Sequence, residues 1–404
     1  MLLFIELALA LLAGVIVGTF TGLAPGIHIN LISALIVSLF ASFLLTSIAP
    51  IAIVVFLVSM AITHTFVDYI PSVFLGAPDE DNVLSILPGH EMLNQGKAYD
   101  AVVYTLYGSI SALGIILLFS PLFFYFLPKI YPYAERIMPL ILIVASGFLI
   151  YFEKSSKVWA IIIFFLSGIL GLATFNLPLT EPLLPLFTGL FGVSSLITSI
   201  NKKQKIPKQK ISKLRNIKIK MRSFFKSIGA SMLASPLCSF LPGMGSGQAA
   251  VIGSQLVEDL DRKEFLVLLG SINTIVMGLS FITLYTIGKS RTGVAAAIDK
   301  IMTLNLSNLI TITTAMMIAG ILAFFVTLYT AKIFSKLISK ANYKILSTVI
   351  ILILLMVNFY FSGFLGILIL TVSTVLGLTC IYSGIRRTHM LGCLIIPAIL
   401  LYLL

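Results

Sequence analysis

Leu23-Ala24-Pro25-Gly26-Ile27-His28 interrupts an apolar segment near the N-terminus, and Phe240-Leu241-Pro242-Gly243-Met244-Gly245 interrupts another just past the middle of the chain. Proline lacks a backbone donor and clashes with the preceding helical turn. A Pro-Gly pair therefore stops a helix. Both interrupted segments are otherwise long enough to enter a membrane. Broken backbone at membrane depth survives only where protein encloses it or where it lines a polar cavity. The two breaks predict an all-α, polytopic integral membrane protein with broken or re-entrant helices. A matched pair, one per half, points to a binding site between the halves.

Composition agrees with the membrane assignment. Hydrophobic residues make up 59% of the 404, and only 10% are charged. Mean hydropathy is +1.09. A soluble domain is about half apolar and about a quarter charged. About fourteen apolar stretches approach the length that spans a bilayer core. They include 102–127 and 137–152 in the first half, and 345–361 and 364–385 in the second. The stretch 245–257 is too short and Gly-rich to cross alone and reads as one arm of a re-entrant hairpin. Glu6 and the absence of Lys or Arg ahead of the first apolar run predict a retained helix rather than a signal peptide. Cys238, Cys380 and Cys393 lie in apolar stretches without metal-ligand spacing, which predicts packing residues.

The net charge of +12 has a local origin. Eleven basic residues and no acidic ones fall between Asn201 and Lys226, and the rest of the chain holds sixteen basic residues against fifteen acidic. Residues 201–226 therefore form a basic linker between a first membrane unit, 1–200, and a second, 227–404. The positive-inside rule places the linker in the cytoplasm. Ile211, Leu214, Ile217, Met221 and Phe224 recur at helical spacing, which predicts an amphipathic helix on anionic membrane lipids. No aromatics interleave with the charges, so nucleic acid is not an expected partner.

Three landmarks recur in the same order on either side of the linker. The Pro-Gly breaks are one. His64-Thr65-Phe66-Val67 matches Asn273-Thr274-Ile275-Val276, and Ser167-Gly168-Ile169-Leu170-Gly171-Leu172 matches Ser373-Thr374-Val375-Leu376-Gly377-Leu378. Such self-similarity predicts two homologous repeats. Lys332, Lys336, Lys340 and Lys344, and then Arg386-Arg387, form further basic loops. The first-half loop matching Arg386-Arg387 carries only Glu181. This asymmetry favours repeats of opposite topology.

Polar residues inside the apolar body are functional candidates because burying them is costly. His28 and Asn30 follow the first break, where a helix start would offer unpaired N–H groups to an anion. Pro242, Gly243, Gly245, Ser246 and Gln248 form the second break, where small residues let a ligand touch the backbone. With Pro25, Gly26 and Asn273 they are the expected substrate-binding set. His64 and Asp68, one helical turn apart, are the expected ion-coupling pair for H+ or Na+. Asn273 occupies the His64 position of the second repeat and cannot titrate. His389 is expected at the membrane interface. Asp79-Glu80-Asp81 are consecutive and do not converge on a metal as an EF-hand loop does. No P-loop, H-E-x-x-H or G-x-S-x-G occurs, so no enzyme, metal site or cofactor is expected.

Gly22-Leu23-Ala24-Pro25-Gly26, Leu241-Pro242-Gly243-Met244-Gly245-Ser246 and the loop from Gly76-Ala77-Pro78 to Leu87-Pro88-Gly89-His90-Glu91-Met92-Leu93-Asn94-Gln95-Gly96-Lys97-Ala98 carry a resemblance. In order along most of the chain, they resemble the signatures of the large membrane subunit of tripartite tricarboxylate transporters, the TctA-type permease. Leu87-Pro88 and His90-Glu91 stand where that family has Asp-Gly and its neighbours. The resemblance implies a multi-pass cell-membrane importer of citrate-like carboxylates, driven by a cation gradient. It also implies a small membrane subunit and an extracytoplasmic binding protein as partners. The expectation is a secondary active transporter for a small organic anion, with alternating access around the two breaks. Three rivals would use the same features. A lipid-phosphate (polyprenyl phosphate) translocase would need a long apolar chain on its substrate. A membrane enzyme would act through His64 and Asp68, and an assembly subunit would tolerate bulk at Gly26 and Gly245.

Overall fold

The computed structural model describes residues 2–24, 29–41, 48–77, 83–153, 155–179, 181–201, 207–240, 246–257, 260–290, 292–338 and 343–403. All regular structure among them is helical, as the sequence predicts. The first half holds α1 (Leu2–Leu23), α2 (Ile29–Ala41), α3 (Pro50–Val67), α4 (Tyr69–Leu75), α5 (Ile86–Asn94), α6 (Ala98–Tyr151), α7 (Lys157–Phe175), α8 (Leu183–Phe187) and α9 (Ser194–Asn201). The second half holds α10 (Met221–Phe240), α11 (Ser246–Gln255), α12 (Arg262–Ile287), α13 (Gly293–Ile301), α14 (Leu306–Ile338), α15 (Tyr343–Tyr382) and α16 (Gly392–Leu403). Seven helical segments among the described residues are long and apolar enough to cross a membrane. The chain is a multi-pass membrane protein.

One pair of stretches expected as separate is continuous, and the other is divided where expected. Residues 102–127 and 137–152 belong to the 54-residue α6, which carries Pro121, Pro128, Pro132 and Pro139. Each proline removes one ladder hydrogen bond and bends the helix without ending it here. Its first part, Ala98–Tyr133, has the length and hydropathy of a crossing. In α15 the division is sharper. Gly363, at φ 58 and ψ −153, breaks the helix at the position between the two expected stretches. Only glycine adopts that conformation without strain.

α3–α4 and α12 form the centre, with 83% and 94% of their apolar windows buried, against 22% for α1. Residue pairings fix the directions. Gly14 faces Phe56, Gly18 faces Met60 and Gly22 faces Val67, so α1 and α3 run parallel. The main-chain N–H of Ala49 donates to Glu6 at 2.7 Å, which ties the two starting ends together. α2 must therefore bring the chain back between them. The same holds in the second half. Ser227 donates to the Glu264 carbonyl at 2.9 Å, and Ser231 meets Ser271 at 2.7 Å, so α10 runs parallel to α12. α11, ten residues and about 15 Å long, lies on the return path.

Ser109 donates to the Gly270 carbonyl at 3.0 Å, and Gly278 abuts Ile116, so α6 is parallel to α12. α4 ends at Gly76, which packs on His90 of α5 just before α6 begins. α12 therefore runs opposite to α3–α4. Farther out, a Cβ at Gly171 of α7 would collide with the Cys393 carbonyl of α16, and one at Gly377 of α15 with the Leu190 carbonyl. Such backbone-on-backbone approach is how helices associate where lipid supplies no hydrophobic drive. The three cysteines are buried and form no disulfide among the described residues, as expected of packing residues.

The described part of the linker differs from the predicted amphipathic helix. Residues 207–220 have no regular secondary structure apart from one 3-10 turn, Leu214–Asn216, and α10 begins only at Met221. Tertiary contacts hold this shape. Gln209 accepts from the Ala98 N–H at 3.0 Å and donates to the Leu93 carbonyl at 2.9 Å. Tyr104 and Tyr107 donate to the carbonyls of Lys218 and Ile217 at 3.3 and 3.1 Å. Ile217 is buried against the protein instead of facing lipid headgroups.

Candidate functional site

Helix boundaries bracket both Pro-Gly pairs: α1 ends at Leu23 and α2 starts at Ile29, and α10 ends at Phe240 and α11 starts at Ser246. Pro25, Gly26, His28, Pro242, Gly243 and Gly245 themselves lie outside the described residues, as does the side chain of Asn30. Ser246 and Gln248 open α11 and are buried. Asp68 caps the C-terminal end of α3 and is also the residue before α4.

The last turn of α1 arrives beside His64 and Asp68. Thr21 Oγ1 lies 3.1 Å from His64 Nδ1, and a Cβ on Gly22 would sit 3.2 Å from the Asp68 backbone nitrogen. From the other half, Asn273 Nδ2 donates to Asp68 Oδ2 at 3.0 Å. Thr65 Oγ1 and Thr274 Oγ1 meet at 3.3 Å. His64, Asp68, Thr65, Thr274, Thr21 and Asn273 are all buried. Asn273 Oδ1 has no hydrogen-bond partner among the described residues. The two tetrapeptides that match in sequence thus touch in space, threonine to matching threonine. His64 and Asp68 are each engaged by a different element, α1 and α12, so the pair expected on one helix lies at a junction of three. A carboxylate and an amide oxygen at such depth can hold a proton or a hard cation, and a charge there is costly unless paired.

A second polar cluster was not legible in the sequence. His389, expected at the interface, is fully buried, with Nε2 2.8 Å from Glu153 Oε2. Glu153 also accepts from the backbone N–H groups of Arg386 (3.2 Å) and Ser155 (3.0 Å). Burial opposes its charge, but these bonds outweigh burial and hold its carboxyl below the usual carboxylate range. Glu153 thereby fixes the strap 386–391 that precedes α16. Arg387 on that strap donates to Ser195.

Beside the strap is a cavity of about 700 Å³, on the face where the linker lies. Its walls include Ser254 and Gln255 at the end of α11, Arg262 at the start of α12, Glu91 of α5, and Arg386 and Arg387. Glu91 pairs with Arg262. His90, adjacent in sequence to Glu91, is buried, and its Nε2 has no partner among the described residues. Burial first, and the nearby Arg387 charge second, lower its pKa to about 4. Among the described residues no group of three or more His, Cys, Asp or Glu could hold a metal ion. The only sequence signals for this cluster were isolated charges at the edges of apolar runs, which read as loop residues.

Comparison with known proteins gives one family. Residues 8–392 match the tripartite tricarboxylate transporter TctA family. The chain is 33% identical over 413 residues to an uncharacterized protein of Methanocaldococcus jannaschii, MJ1079, with 98% of each chain covered. No solved structure matches.

Proposed function

The chain belongs to the tripartite tricarboxylate transporter TctA family, and on that premise we propose that it is a secondary active permease for a small organic anion, a di- or tricarboxylate of the citrate kind. The observation that carries this reading is the buried Asp68–Asn273 hydrogen bond, which joins α3–α4 to the antiparallel α12 where α1 ends. A carboxylate enclosed at that depth needs a proton or a cation with it. That requirement supports coupling, because cargo and ion then share one junction.

The halves act as inverted repeats. The opposed directions of α3–α4 and α12, the parallel α1–α3 and α10–α12 pairs, and the Thr65–Thr274 contact support a pseudo-two-fold axis through the centre. The reciprocal contacts Gly171 on Cys393 and Gly377 on Leu190 support it too. Rocking of one repeat against the other would expose the junction to each side in turn. The linker face is cytoplasmic by the positive-inside rule. His64, Asp68 and Asn273 line the coupling side of the junction. Ser246 and Gln248, with the two breaks, hold the carboxylates through N–H groups and small polar side chains. A small membrane subunit and an extracytoplasmic binding protein complete the assembly.

Counterflow in proteoliposomes tests this, with the purified chain, labelled di- and tricarboxylates, and imposed H+ or Na+ gradients. The expected result is exchange of one carboxylate that responds to one of the two cations. Asp68→Asn should slow the coupled exchange by about a hundredfold, as loss of a group essential to the coupled step does. Exchange in Asp68→Asn at the natural rate, still driven by the gradient, would remove Asp68 from coupling.

A further inference from the structure

We propose that the cavity on the linker face is a carboxylate-binding subsite of the transport path, in which Arg387 meets the organic anion as it leaves toward the cytoplasm. The inference rests on the transporter reading above and adds a charged subsite to it. The charge balance of the cavity wall is the starting point. Arg262 is paired by Glu91. Asp261 is engaged in the cap of α12, where its Oδ1 accepts from the Glu264 N–H at 2.8 Å and its own N–H donates to Glu264 at 3.0 Å. Arg386 and Arg387 have no carboxylate within ion-pair distance among the described residues. Glu153, the acid nearest the strap, accepts from the Arg386 backbone rather than its side chain. Among the described residues the Arg387 side chain donates only to a neutral hydroxyl, that of the buried Ser195.

A guanidinium has five donors in a planar fork, and one hydroxyl leaves most of them unused. That fork matches a carboxylate in a bidentate pair. The strap that carries it is fixed by two hydrogen bonds to Glu153, from the Arg386 N–H and at His389 Nε2, so the fork is placed before any ligand arrives. The cavity volume of about 700 Å³ falls within the range of small-molecule sites. Its position connects it to the centre. α11 begins at Ser246 beside the second break and ends at Ser254 and Gln255 in the cavity wall. An anion released from the break would follow α11 to Arg387. Glu153 is a positioning residue in this scheme, acting through the strap.

The test uses the full chain with citrate as probe. Citrate affinity is measured on the detergent-solubilised protein, and counterflow on proteoliposomes, for the natural chain, Arg387→Gln and Arg387→Lys. Arg387→Gln should weaken citrate binding by about tenfold or more, and Arg387→Lys by less, because a lysine keeps the charge but loses the fork. Citrate bound equally by Arg387→Gln and the natural chain overturns the subsite and leaves the transporter reading standing. No carboxylate bound or exchanged by the natural chain, alone or with its small membrane subunit and binding protein supplied, removes that reading and the subsite with it. If Arg387→Gln does not fold, Ser254→Cys decides. A membrane-impermeant maleimide applied from the linker face should label it, with the three native cysteines buried as background, and citrate should slow labelling several-fold. Labelling unaffected by citrate, at concentrations that saturate counterflow, overturns the subsite.

Discussion

α1 on α3 and α10 on α12 are the same parallel packing built with different chemistry. α1 presents Gly14, Gly18 and Gly22 at every fourth position, and a Cβ at the first two would strike the carbonyls of Phe56 and Met60. α10 presents Ser227, Ser231, Ser235 and Ser239 at the same spacing. Two of these bond across the interface, to the Glu264 carbonyl and to Ser271. Small residues in one stripe are what both pairs need. Glycine gives the closest approach, and serine accepts a wider gap and fills it with hydrogen bonds. The caps of the central helices differ in the same way. Gly76 and Gly288 end α4 and α12 in left-handed conformation, at φ 65 and φ 64. Gly76 lies under the His90 ring, while a Cβ on Gly288 would meet open space. The titratable chemistry, His64 and Asp68, sits on the first-half helix, against the neutral Asn273 of the second. One packing scheme thus carries ionisable groups on one side of the junction only.

The contrast can be broken at its strongest point first. Gly18→Val should cost on the order of 3 kcal/mol or more, enough to lose folded protein, because the Met60 carbonyl cannot move aside. Recovery of a monodisperse, normally melting protein in detergent would show that α1 does not need its glycines.

The next largest effect is an acid lability confined to the first-half cap. His90 has a folded pKa of about 4 against an ordinary 6.5. The unfolded chain therefore takes up the proton first as pH falls. Stability should decline from about pH 6.5 and level off near pH 4, by roughly 3 kcal/mol in all. Melting temperatures of the natural chain and His90→Gln, compared at pH 7 and pH 4.5, check this. A variant that keeps the full decline would place it elsewhere.

A comparison of the caps themselves sharpens the point. Gly76→Ala and Gly288→Ala both force a side chain into φ > 0, costing about 1 kcal/mol each. Gly76→Ala should lose more, because its Cβ would lie 2.7 Å from His90 Cε1. Equal losses in melting experiments would mean that the ring yields freely. The smallest effect is expected at Ser231→Ala, about 1 kcal/mol from one interhelical hydrogen bond. A loss as large as that of Gly18→Val would erase the distinction between the two interfaces.

Some of this was open to sequence reasoning because its causes are local. A Pro-Gly pair ends a helix whatever surrounds it, and the helices do stop at Leu23 and Phe240. Matching tetrapeptides at 64–67 and 273–276 pointed to residues that prove to be neighbours. The linker helix failed because spacing is a weak cue when hydroxyls of Tyr104 and Tyr107 and the amide of Gln209 capture the backbone first. His389 was misplaced for a related reason. Its partner Glu153 is 236 residues away, and nothing local distinguishes a buried hydrogen-bonded pair from two loop residues.

The sequence by itself determined the membrane class, the positions of the breaks, the basic segment and the family signatures. These follow from hydropathy, proline and glycine geometry, and residue identity, none of which needs a partner. Only the tertiary structure decided that α12 opposes α3–α4, that Asn273 reaches Asp68, and that Glu153 sets Arg387 in a cavity wall. Those are meetings between groups far apart in the chain. In an apolar protein most segments could pack against most others, and close-fitting glycines and a few buried hydrogen bonds select among them.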